Sequence, residues 1–275
     1  MLCYVTAFLD LNRDHWDFFR RSQEEYFRHF SPLLDIFEKD GNRSEYSLIV
    51  YIDSKHEENL RKIIPSCLEG IIHVVCIDEK FMEENIPVWS RLNKEREIME
   101  SEEYKTRFAS RLCFPENSNP KYTLINHAKI DFVSHATFIF PVCEYFCWVD
   151  FGYFQNRDRI PSSLLDINLF DKDKINYTLI NPLDERDTDV EYTMHCAPER
   201  IGGFFFFGNR ENVLIYQKLY HEVHIQFQEN NLADDDQHLA LRCYFRNPSL
   251  FSLHNLGGWH KALTSFQKST DLWLV

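Results

Sequence analysis

The sequence predicts an α/β fold, in which one domain carries a mainly parallel sheet flanked by helices and a smaller, strand-rich second half. Apolar runs of strand length alternate with amphipathic segments through the first half, and this alternation is typical of a doubly wound parallel sheet. The chain has 275 residues, 44% of them hydrophobic, which is enough for a packed core. No Pro/Gly/Ser-rich linker or repeat divides it, so we expect a single domain over residues 1–275.

Four apolar runs in the first half predict buried strands. They cover residues 3–9, 46–52, 71–77 and 145–149. In an open parallel sheet, ligands bind beyond the carboxyl ends of the strands. The residue that directly follows each run is an aspartate: Asp10, Asp53, Asp78 and Asp150.

The intervening segments and much of the second half predict helices. Periodic aromatic or charged residues indicate helices over residues 15–30, 55–64, 122–138, 210–228 and 234–245, and in the segment between Pro87 and Pro115. Residues 157–189 are polar and predict loops, and GGFFFFG predicts a short strand. The HEVH motif, His221 to His224, lacks the spacing of a zinc-protease helix and predicts a solvated helix face.

Composition and motifs exclude several classes of protein. The net charge of −13 disfavours nucleic-acid and anionic-lipid partners, and the apolar runs are too short to span a membrane. The eight scattered cysteines predict reduced core residues in a cytoplasmic, soluble protein. No glycine occurs between the first strand and Gly41, which excludes a GxGxxG dinucleotide turn, and no glycine precedes a lysine, which excludes a P-loop.

The segment CWVDFGYF carries the strongest metal-binding signal. Asp150, at the end of a buried aromatic strand, offers the oxygen ligand that Mg²⁺ or Mn²⁺ prefers. Glycosyltransferases of the GT-A fold usually have Asp-x-Asp here, and this chain has only half of it, with Gly152 or Trp148 in place of the other acid. The alternative is a strand-end aspartate that only caps a turn.

Two further segments offer candidate catalytic and binding residues. Gly202 and Gly203 allow close backbone approach to a ligand. The alternative is that the two glycines form a bulge in a core strand. Three aspartates then begin a predicted helix, where the helix dipole and capping favour them in any case. We select Asp236, with Asp235 beside it, as the base that deprotonates an acceptor hydroxyl.

The segment SLHNLGGWHKAL adds a final cluster. His254 is a candidate second metal ligand, Gly257 allows backbone to approach a diphosphate, and Lys261 would offset the charge of the leaving group. A competing hypothesis is a phosphatase of the haloacid-dehalogenase type with Asp10 as nucleophile. Asn12 stands where that family has its second aspartate, and an amide cannot act as acid or base.

Four segments carry a family resemblance. They are VTAFLDLNR at residues 5–13, YID at 51–53, the N-x-x-K of residues 126–129 and WVDFG at 148–152. In them the chain resembles the HtrL/YibB-like family, whose members are taken to be glycosyltransferases distantly related to GT-A enzymes. His254-x-x-Gly257 is also similar to the His-x-x-Gly-x-x-Lys element of glycogenin-like transferases, except that His260 stands where the lysine is expected.

The resemblance implies a GT-A-like fold with a nucleotide-binding half over residues 1–150 and an acceptor and catalytic half over 151–275. It implies that Thr6, Ala7 and Arg13 contact the nucleotide, that Asp53 lies near the base or ribose, and that Lys129 faces the diphosphate.

We therefore expect a metal-dependent glycosyltransferase that uses a UDP-sugar donor and a glycan acceptor. We expect it to invert the anomeric centre through Asp236, and retention is the alternative route, because GT-A enzymes use both. UDP-xylose is one donor candidate, because large DNA viruses of algae encode small transferases of this kind. The alternative is a non-catalytic nucleotide-sugar-binding protein.

Overall fold

A computed structural model describes residues 1–40, 43–155 and 160–268. In this part of the chain, seven strands form one sheet in the order β3-β2-β1-β4-β6-β5-β7. The strands are β1 (Leu2–Phe8), β2 (Tyr46–Asp53), β3 (Ile72–Ile77), β4 (Tyr145–Val149), β5 (Ile175–Leu179), β6 (Ile201–Asn209) and β7 (Phe251–Asn255). Neighbouring strands are parallel except at β6, which runs antiparallel to both β4 and β5.

Eleven α-helices are found in the described residues, joined by short 3-10 turns. The helices are α1 (Gln23–Lys39), α2 (Glu57–Ile63), α3 (Glu79–Asn85), α4 (Leu92–Glu100), α5 (Glu102–Arg107), α6 (Pro120–His127), α7 (Lys129–Ile139), α8 (Val190–Cys196), α9 (Arg210–Glu229), α10 (Asp236–Arg246) and α11 (Ala262–Ser265). They cover both faces of the sheet, so that consecutive residues of the central strands alternate between two apolar cores.

The two cores contain different elements. On one face, Cys3 and Val5 of β1 pack with the buried residues of α4, α6, α7, α9 and α10. On the other face, Leu2 and Tyr4 pack with α1, α2 and α11. Strands β1, β2 and β4 are continuous apolar runs because neither of their faces meets water.

The mixed α/β single domain predicted from the sequence is confirmed. The four predicted strands of the first half match β1 to β4 to within one residue at each end, and the predicted GGFFFFG strand is the centre of β6. Strands β5 and β7 were not predicted, and β5 lies inside the stretch expected to be loops. Their sequences, INYTL and FSLHN, contain too many polar residues to stand out as apolar runs.

Two predicted helices have different bounds. The helix expected over residues 15–30 begins only at Gln23, because Ser22 and Glu25 form a capping box there. The preceding aromatics Phe18 and Phe19 are exposed. The helix expected over 122–138 is two helices, α6 and α7, which meet at Ala128.

The predicted solvated face at HEVH is wrong. His224 is only 2% exposed, and its Nε2 lies 3.2 Å from a carboxylate oxygen of Glu95. Nε2 of His221 lies 2.7 Å from Asp131 Oδ1. Both contacts join α9 to neighbouring helices, so this part of α9 faces the interior.

The cysteine prediction holds only in part. All eight cysteines lie in the described residues and none forms a disulfide. Four are buried, as expected, whereas three are exposed: Cys67, Cys113 and Cys196. Among the helices of the described residues, none has the length and apolar character needed to cross a membrane.

The sheet order defines a switch point between β1 and β4. From β1 the chain first builds outward to β2 and β3, and then returns to place β4 on the other side of β1. At such a point the connections leave the sheet in opposite directions and open a crevice at the carboxyl ends of the strands.

Candidate functional site

A cleft of about 370 Å³ opens at this switch point. Its floor is formed by the residues that end β1 and β4, among them Ala7 and Asp150, and one wall is formed by Gly203 of β6 and by the beginning of α10. Because β6 is antiparallel to β4, its early residues lie beside the last residues of β4. Both halves of the chain therefore contribute to one cleft.

Lys129 connects the acidic residues of the cleft. Its ammonium Nζ lies 2.8 Å from Asp236 Oδ2 and 3.2 Å from Asp150 Oδ1, and it also donates a hydrogen bond of 3.0 Å to the Gly203 carbonyl. The side chain of Lys129 is only 9% exposed. One buried cation thus joins α7, β4, β6 and α10.

Burial and the neighbouring charges have opposite effects on the pKa values of Lys129 and Asp236. Burial alone would lower the pKa of Lys129, but the carboxylates of Asp150 and Asp236 outweigh it and raise the pKa above its ordinary value. Burial raises the pKa of Asp236 to about 6, against the opposing effect of Lys129. Lys129 is therefore charged, and Asp236 exchanges its proton near neutral pH.

The indole of Trp148 fixes the carboxylate of Asp150. Trp148 Nε1 donates a hydrogen bond of 2.6 Å to Asp150 Oδ1, the same oxygen that Lys129 contacts. Oδ2 of Asp150 has no hydrogen bond from the described residues. Trp148 thus orients the carboxylate of Asp150.

Gly203 makes room for Asp236. A Cβ atom at Gly203 would lie 2.5 Å from Asp236 Oδ2, whereas one at Gly202 would make ordinary contacts at 3.6 Å. The carboxylate therefore packs directly against the β6 backbone, and only glycine fits at that position.

Asp235 and His238 form a second charged group behind Asp236. Asp235 caps α10 by accepting a hydrogen bond of 2.8 Å from the His238 backbone N–H. The ring Nδ1 of His238 lies 2.8 Å from Asp234 Oδ2 and 3.5 Å from Asp235 Oδ1. Burial would lower the pKa of His238, but these carboxylates raise it to about 9. A histidinium therefore neutralises the acids that precede α10.

Arg13 and Arg21 give one side of the cleft its positive charge. Arg13 donates hydrogen bonds to the Tyr26 hydroxyl and the Phe19 carbonyl, and its guanidinium lies 5.4 Å from the ring centre of Tyr122. Arg21 lies over the Tyr26 ring at 5.0 Å. Cations held on aromatic faces in a cleft are suited to bind phosphates.

The structure brings together seven of the residues selected from the sequence. The described residues that line the cleft include Ala7, Arg13, Lys129, Asp150, Gly203, Asp235 and Asp236. They do not include the other five donor-binding candidates or His254.

Three of these other residues lie near the cleft or on a neighbouring strand. Thr6 is fully buried in β1 and precedes Ala7 in the chain. Gly202 likewise precedes Gly203 on β6. Asp53 ends β2, where its Oδ1 accepts a hydrogen bond from the Lys55 backbone N–H.

The remaining residues lie on β7 and the loop that follows it. His254 Nε2 lies 2.8 Å from Asn176 Oδ1, and its ring packs against Phe266. Lys261 donates a hydrogen bond of 3.2 Å to the Gly257 carbonyl. The structure does not bring His254 to Asp150.

Asp10 has partners that occupy both carboxylate oxygens. Oδ1 accepts a hydrogen bond from Asn12 N–H, and Oδ2 lies 2.9 Å from His56 Nε2 and 3.1 Å from Lys55 Nζ. Among the described residues that line the 370 Å³ cleft, Asp10 is absent. This geometry gives the phosphatase hypothesis no support.

Several cleft residues were not selected from the sequence. The most prominent are Arg21, Glu116, Tyr122, Phe204 and His260. His260 has a left-handed backbone (φ 56°), and its ring stacks on Phe204 at 4.2 Å. The aromatic run of β6 was visible in the sequence, but nothing there indicated which of its rings faces the cleft.

The donor atoms of the cleft fit a hard divalent cation. Asp150 offers Oδ2, and the carboxylates of Asp235 and Asp236 lie in the same cleft. Carboxylate oxygens are the ligands that Mg²⁺ and Mn²⁺ prefer. Asp150 is the residue that would hold such an ion, as the sequence predicts.

Comparisons with known proteins agree with the fold. The family described as "Bacterial protein of unknown function (HtrL_YibB)" matches residues 2–268. Protein HtrL of Escherichia coli (strain K12) is 25% identical over 280 residues, which cover 97% of this chain and 92% of that protein.

Two solved structures are also similar. Core-mannan synthase A of Aspergillus fumigatus, in a Mn/GDP form, has a TM-score of 0.53 at 8% identity, covering 98% of this chain and 78% of that one. Mouse xyloside xylosyltransferase 1, in its apo form, has a TM-score of 0.45 at 12% identity, covering 91% and 84%. The first of these likenesses supports the GT-A-like architecture.

Proposed function

The chain belongs to the HtrL/YibB family, and from that premise and the cleft geometry we propose that it is a glycosyltransferase. It transfers a sugar from a nucleotide-diphosphate donor to a hydroxyl group of a glycan acceptor. The first half of the chain, residues 1–150, binds the nucleotide, and residues 151–275 supply the base and the acceptor side.

The observation that carries this proposal is the contact of Lys129 with both Asp150 and Asp236 in one cleft. It places a candidate metal ligand and a candidate base on either side of a fixed positive charge. The cleft lies at the carboxyl ends of parallel strands, where α/β proteins bind nucleotides. Core-mannan synthase A, whose fold is similar, was crystallised with Mn and GDP.

Asp236 acts as the general base. Its pKa of about 6 leaves it ionised at neutral pH but still basic enough to accept a proton from the acceptor hydroxyl as that oxygen attacks the anomeric carbon. Direct in-line attack inverts the anomeric centre. The ion pair with Lys129 orients the carboxylate, and Asp235 caps the helix that presents it.

Arg13 and Arg21 lie on the side of the cleft where the donor diphosphate would bind. Both guanidinium groups are held over aromatic rings, so they bind phosphate oxygens with little further loss of side-chain freedom. Asp150 would hold a Mn²⁺ or Mg²⁺ ion, which supplies positive charge to the leaving nucleotide when bound. His254 has no part in this proposal.

A UDP-sugar is the donor that we propose, with UDP-xylose as the first sugar to test. That the protein comes from a large DNA virus of algae stays a prediction from the sequence. The rival function is a non-catalytic nucleotide-sugar-binding protein, which the presence of only one acid of the Asp-x-Asp pair favours.

Thermal stability in the presence of UDP, GDP, CMP and their sugars, each with and without Mn²⁺, tests the proposal. A ligand at 100 times its Kd stabilises the folded state by about 2.7 kcal/mol. We expect a Mn²⁺-dependent shift with one nucleotide class, followed by hydrolysis or transfer of its sugar. A shift without any turnover would favour the binding protein, and no shift with any nucleotide would overturn both functions.

Asp150→Asn is the variant that tests the metal ligand, with Asp78→Asn as its matched control. Asp78 also follows a strand, but its carboxylate caps α3 through Phe81 N–H, a role that asparagine fills equally well. We expect Asp150→Asn to remove the Mn²⁺-dependent part of the nucleotide shift and Asp78→Asn to retain it. Equal shifts in both variants would remove Asp150 from the site.

A further inference from the structure

Three helices bring two histidines and a glutamate together in the interior. Glu95 of α4, His127 of α6 and His224 of α9 are 0%, 1% and 2% exposed. One ligand atom from each of the three lies within 4.8 Å of the others. Among the described residues that line the 370 Å³ cleft, none of the three occurs.

Neighbouring side chains orient each member of the cluster through one of its two polar atoms. The Tyr220 hydroxyl lies 2.7 Å from His127 Nδ1. Gln228 Nε2 donates a hydrogen bond of 2.6 Å to Glu95 Oε2, and His224 Nε2 lies 3.2 Å from the same oxygen. Metal-binding histidines and carboxylates in proteins are oriented by contacts of this kind.

Among the residues that the structure describes, the second polar atom of each member makes no hydrogen bond. These atoms are His127 Nε2, His224 Nδ1 and Glu95 Oε1, and all three are buried. Buried polar atoms without partners are rare, because the free energy that such an atom loses on leaving water is not compensated by a new hydrogen bond. Three such atoms on three neighbouring side chains favour a site that binds a ligand.

Charge points to a cation as that ligand. Glu95 is a fully buried carboxylate, and a buried carboxylate needs a compensating positive charge. Burial holds the pKa of His127 well below its ordinary value, so this imidazole is neutral. Neutral imidazole and carboxylate are the protonation states in which these groups bind metals.

We propose that Glu95, His127 and His224 bind a Zn²⁺ ion at a structural site distinct from the cleft. Two imidazoles and one carboxylate are a ligand set that suits zinc. The ion would link α4, α6 and α9. Because His127 ends α6 and Lys129 begins α7, it would also fix the helix junction that positions Lys129.

Metal content and metal-dependent stability of the full chain test this proposal. The protein is stripped with a chelator, reconstituted with Zn²⁺ or Co²⁺, and dialysed. We expect about one tightly held zinc per chain, a higher melting temperature in the reconstituted protein, and the visible absorption of low-symmetry Co²⁺ with nitrogen ligands.

Two variants and two controls assign the ion to the cluster. Glu95→Gln and His224→Gln keep similar shapes and each remove one ligand, so we expect zinc affinity to fall by about 100-fold or more. His221→Gln changes a histidine one turn away that contacts Asp131, and Asp150→Asn changes the cleft. Both controls should retain the zinc.

The alternative is a cluster held by hydrogen bonds alone, with a proton on His127 directed at the Asp234 carbonyl. A stripped parent protein that neither retains zinc nor gains stability from it would establish that alternative and overturn the proposal. Zinc lost in Asp150→Asn but retained in Glu95→Gln would overturn it equally, since the ion would then belong to the cleft. Glu95→Gln decides the matter if His224→Gln does not fold.

Discussion

Lys129 Nζ lies 2.8 Å from Asp236 Oδ2, in an ion pair that joins the first turn of α7 to the first turn of α10. The two residues are separated by 107 positions in the sequence. Their contact makes the parts of the cleft formed by residues 1–150 and by residues 151–275 depend on each other.

Lys129→Met removes the cation and leaves Asp150 and Asp236 facing each other. We expect a loss of about 3 kcal/mol in the free energy of unfolding, since removing one partner of a buried ion pair leaves the other charge uncompensated. Urea denaturation of the parent protein and of Lys129→Met measures this loss in the free energy of unfolding. Lys261→Met is the control, because the hydrogen bond from its ammonium to the Gly257 carbonyl is exposed, and it should change stability by less than about 0.5 kcal/mol. Equal stability of the two variants would contradict the role given to Lys129.

Gly203→Ala should displace the carboxylate of Asp236, because the added Cβ would lie 2.5 Å from Oδ2. Overpacking of this kind costs about 1–3 kcal/mol, and we expect sugar transfer to fall with it. Gly202→Ala is the matched control, since its Cβ meets neighbours only at 3.6 Å. The comparison requires unfolding curves and transfer rates of both proteins. Two alanine variants with the same rate would show that Asp236 does not depend on this close approach.

Asp236→Asn should abolish proton abstraction while it retains the hydrogen bond that Lys129 donates. We expect kcat to fall by about 10²–10⁴-fold, with nucleotide affinity nearly unchanged. Transfer kinetics and the nucleotide-dependent thermal shift give the two quantities separately. A variant that transfers sugar at the parental rate would remove Asp236 as the base.

The rate of transfer should depend on pH through Asp236. Its pKa is raised to about 6, so below that pH the carboxyl holds a proton and cannot act as base. We expect kcat/KM to fall about tenfold per pH unit below pH 6 and to level off above it. A profile that is flat between pH 4.5 and 7 would contradict the assignment.

His238 should make stability depend on pH in the opposite sense. Its pKa is raised to about 9 in the folded protein, above the ordinary value near 6.5. Its contribution is therefore complete below about pH 6.5 and is lost as the pH rises through 9. Urea denaturation at pH 6 and pH 9.5 should show a large difference between the parent and His238→Gln only at the lower pH. A difference that does not change with pH would mean that His238 is neutral.

The sequence predicted the first half of the sheet well for a physical reason. Parallel strands buried on both faces are continuous apolar runs, and β1 to β4 have that pattern. The same logic identified Asp150 and the end of β1. Strand β7 is only partly buried, so its pattern is weak, and the expected position of His254 beside Asp150 depended on it.

Contacts between distant segments could not be predicted from local patterns. The ion pair of Lys129 with Asp236 and the close approach at Gly203 depend on how α10 packs against β6. The Glu95, His127 and His224 cluster likewise needs three helices in register. Each residue type was visible in the sequence, but which residues meet is decided by packing.

The antiparallel position of β6 has a consequence for how the chain can be divided. Strand β6 pairs with β4 along the whole length of β4. Strand β4 consists of five buried residues, YFCWV. A fragment that stops at residue 150 would leave this apolar strand with an unpaired edge, which is a template for intermolecular pairing and aggregation. Residues 1–150 and residues 151–275 therefore belong to one folding unit. Neither part is a module that could be exchanged on its own.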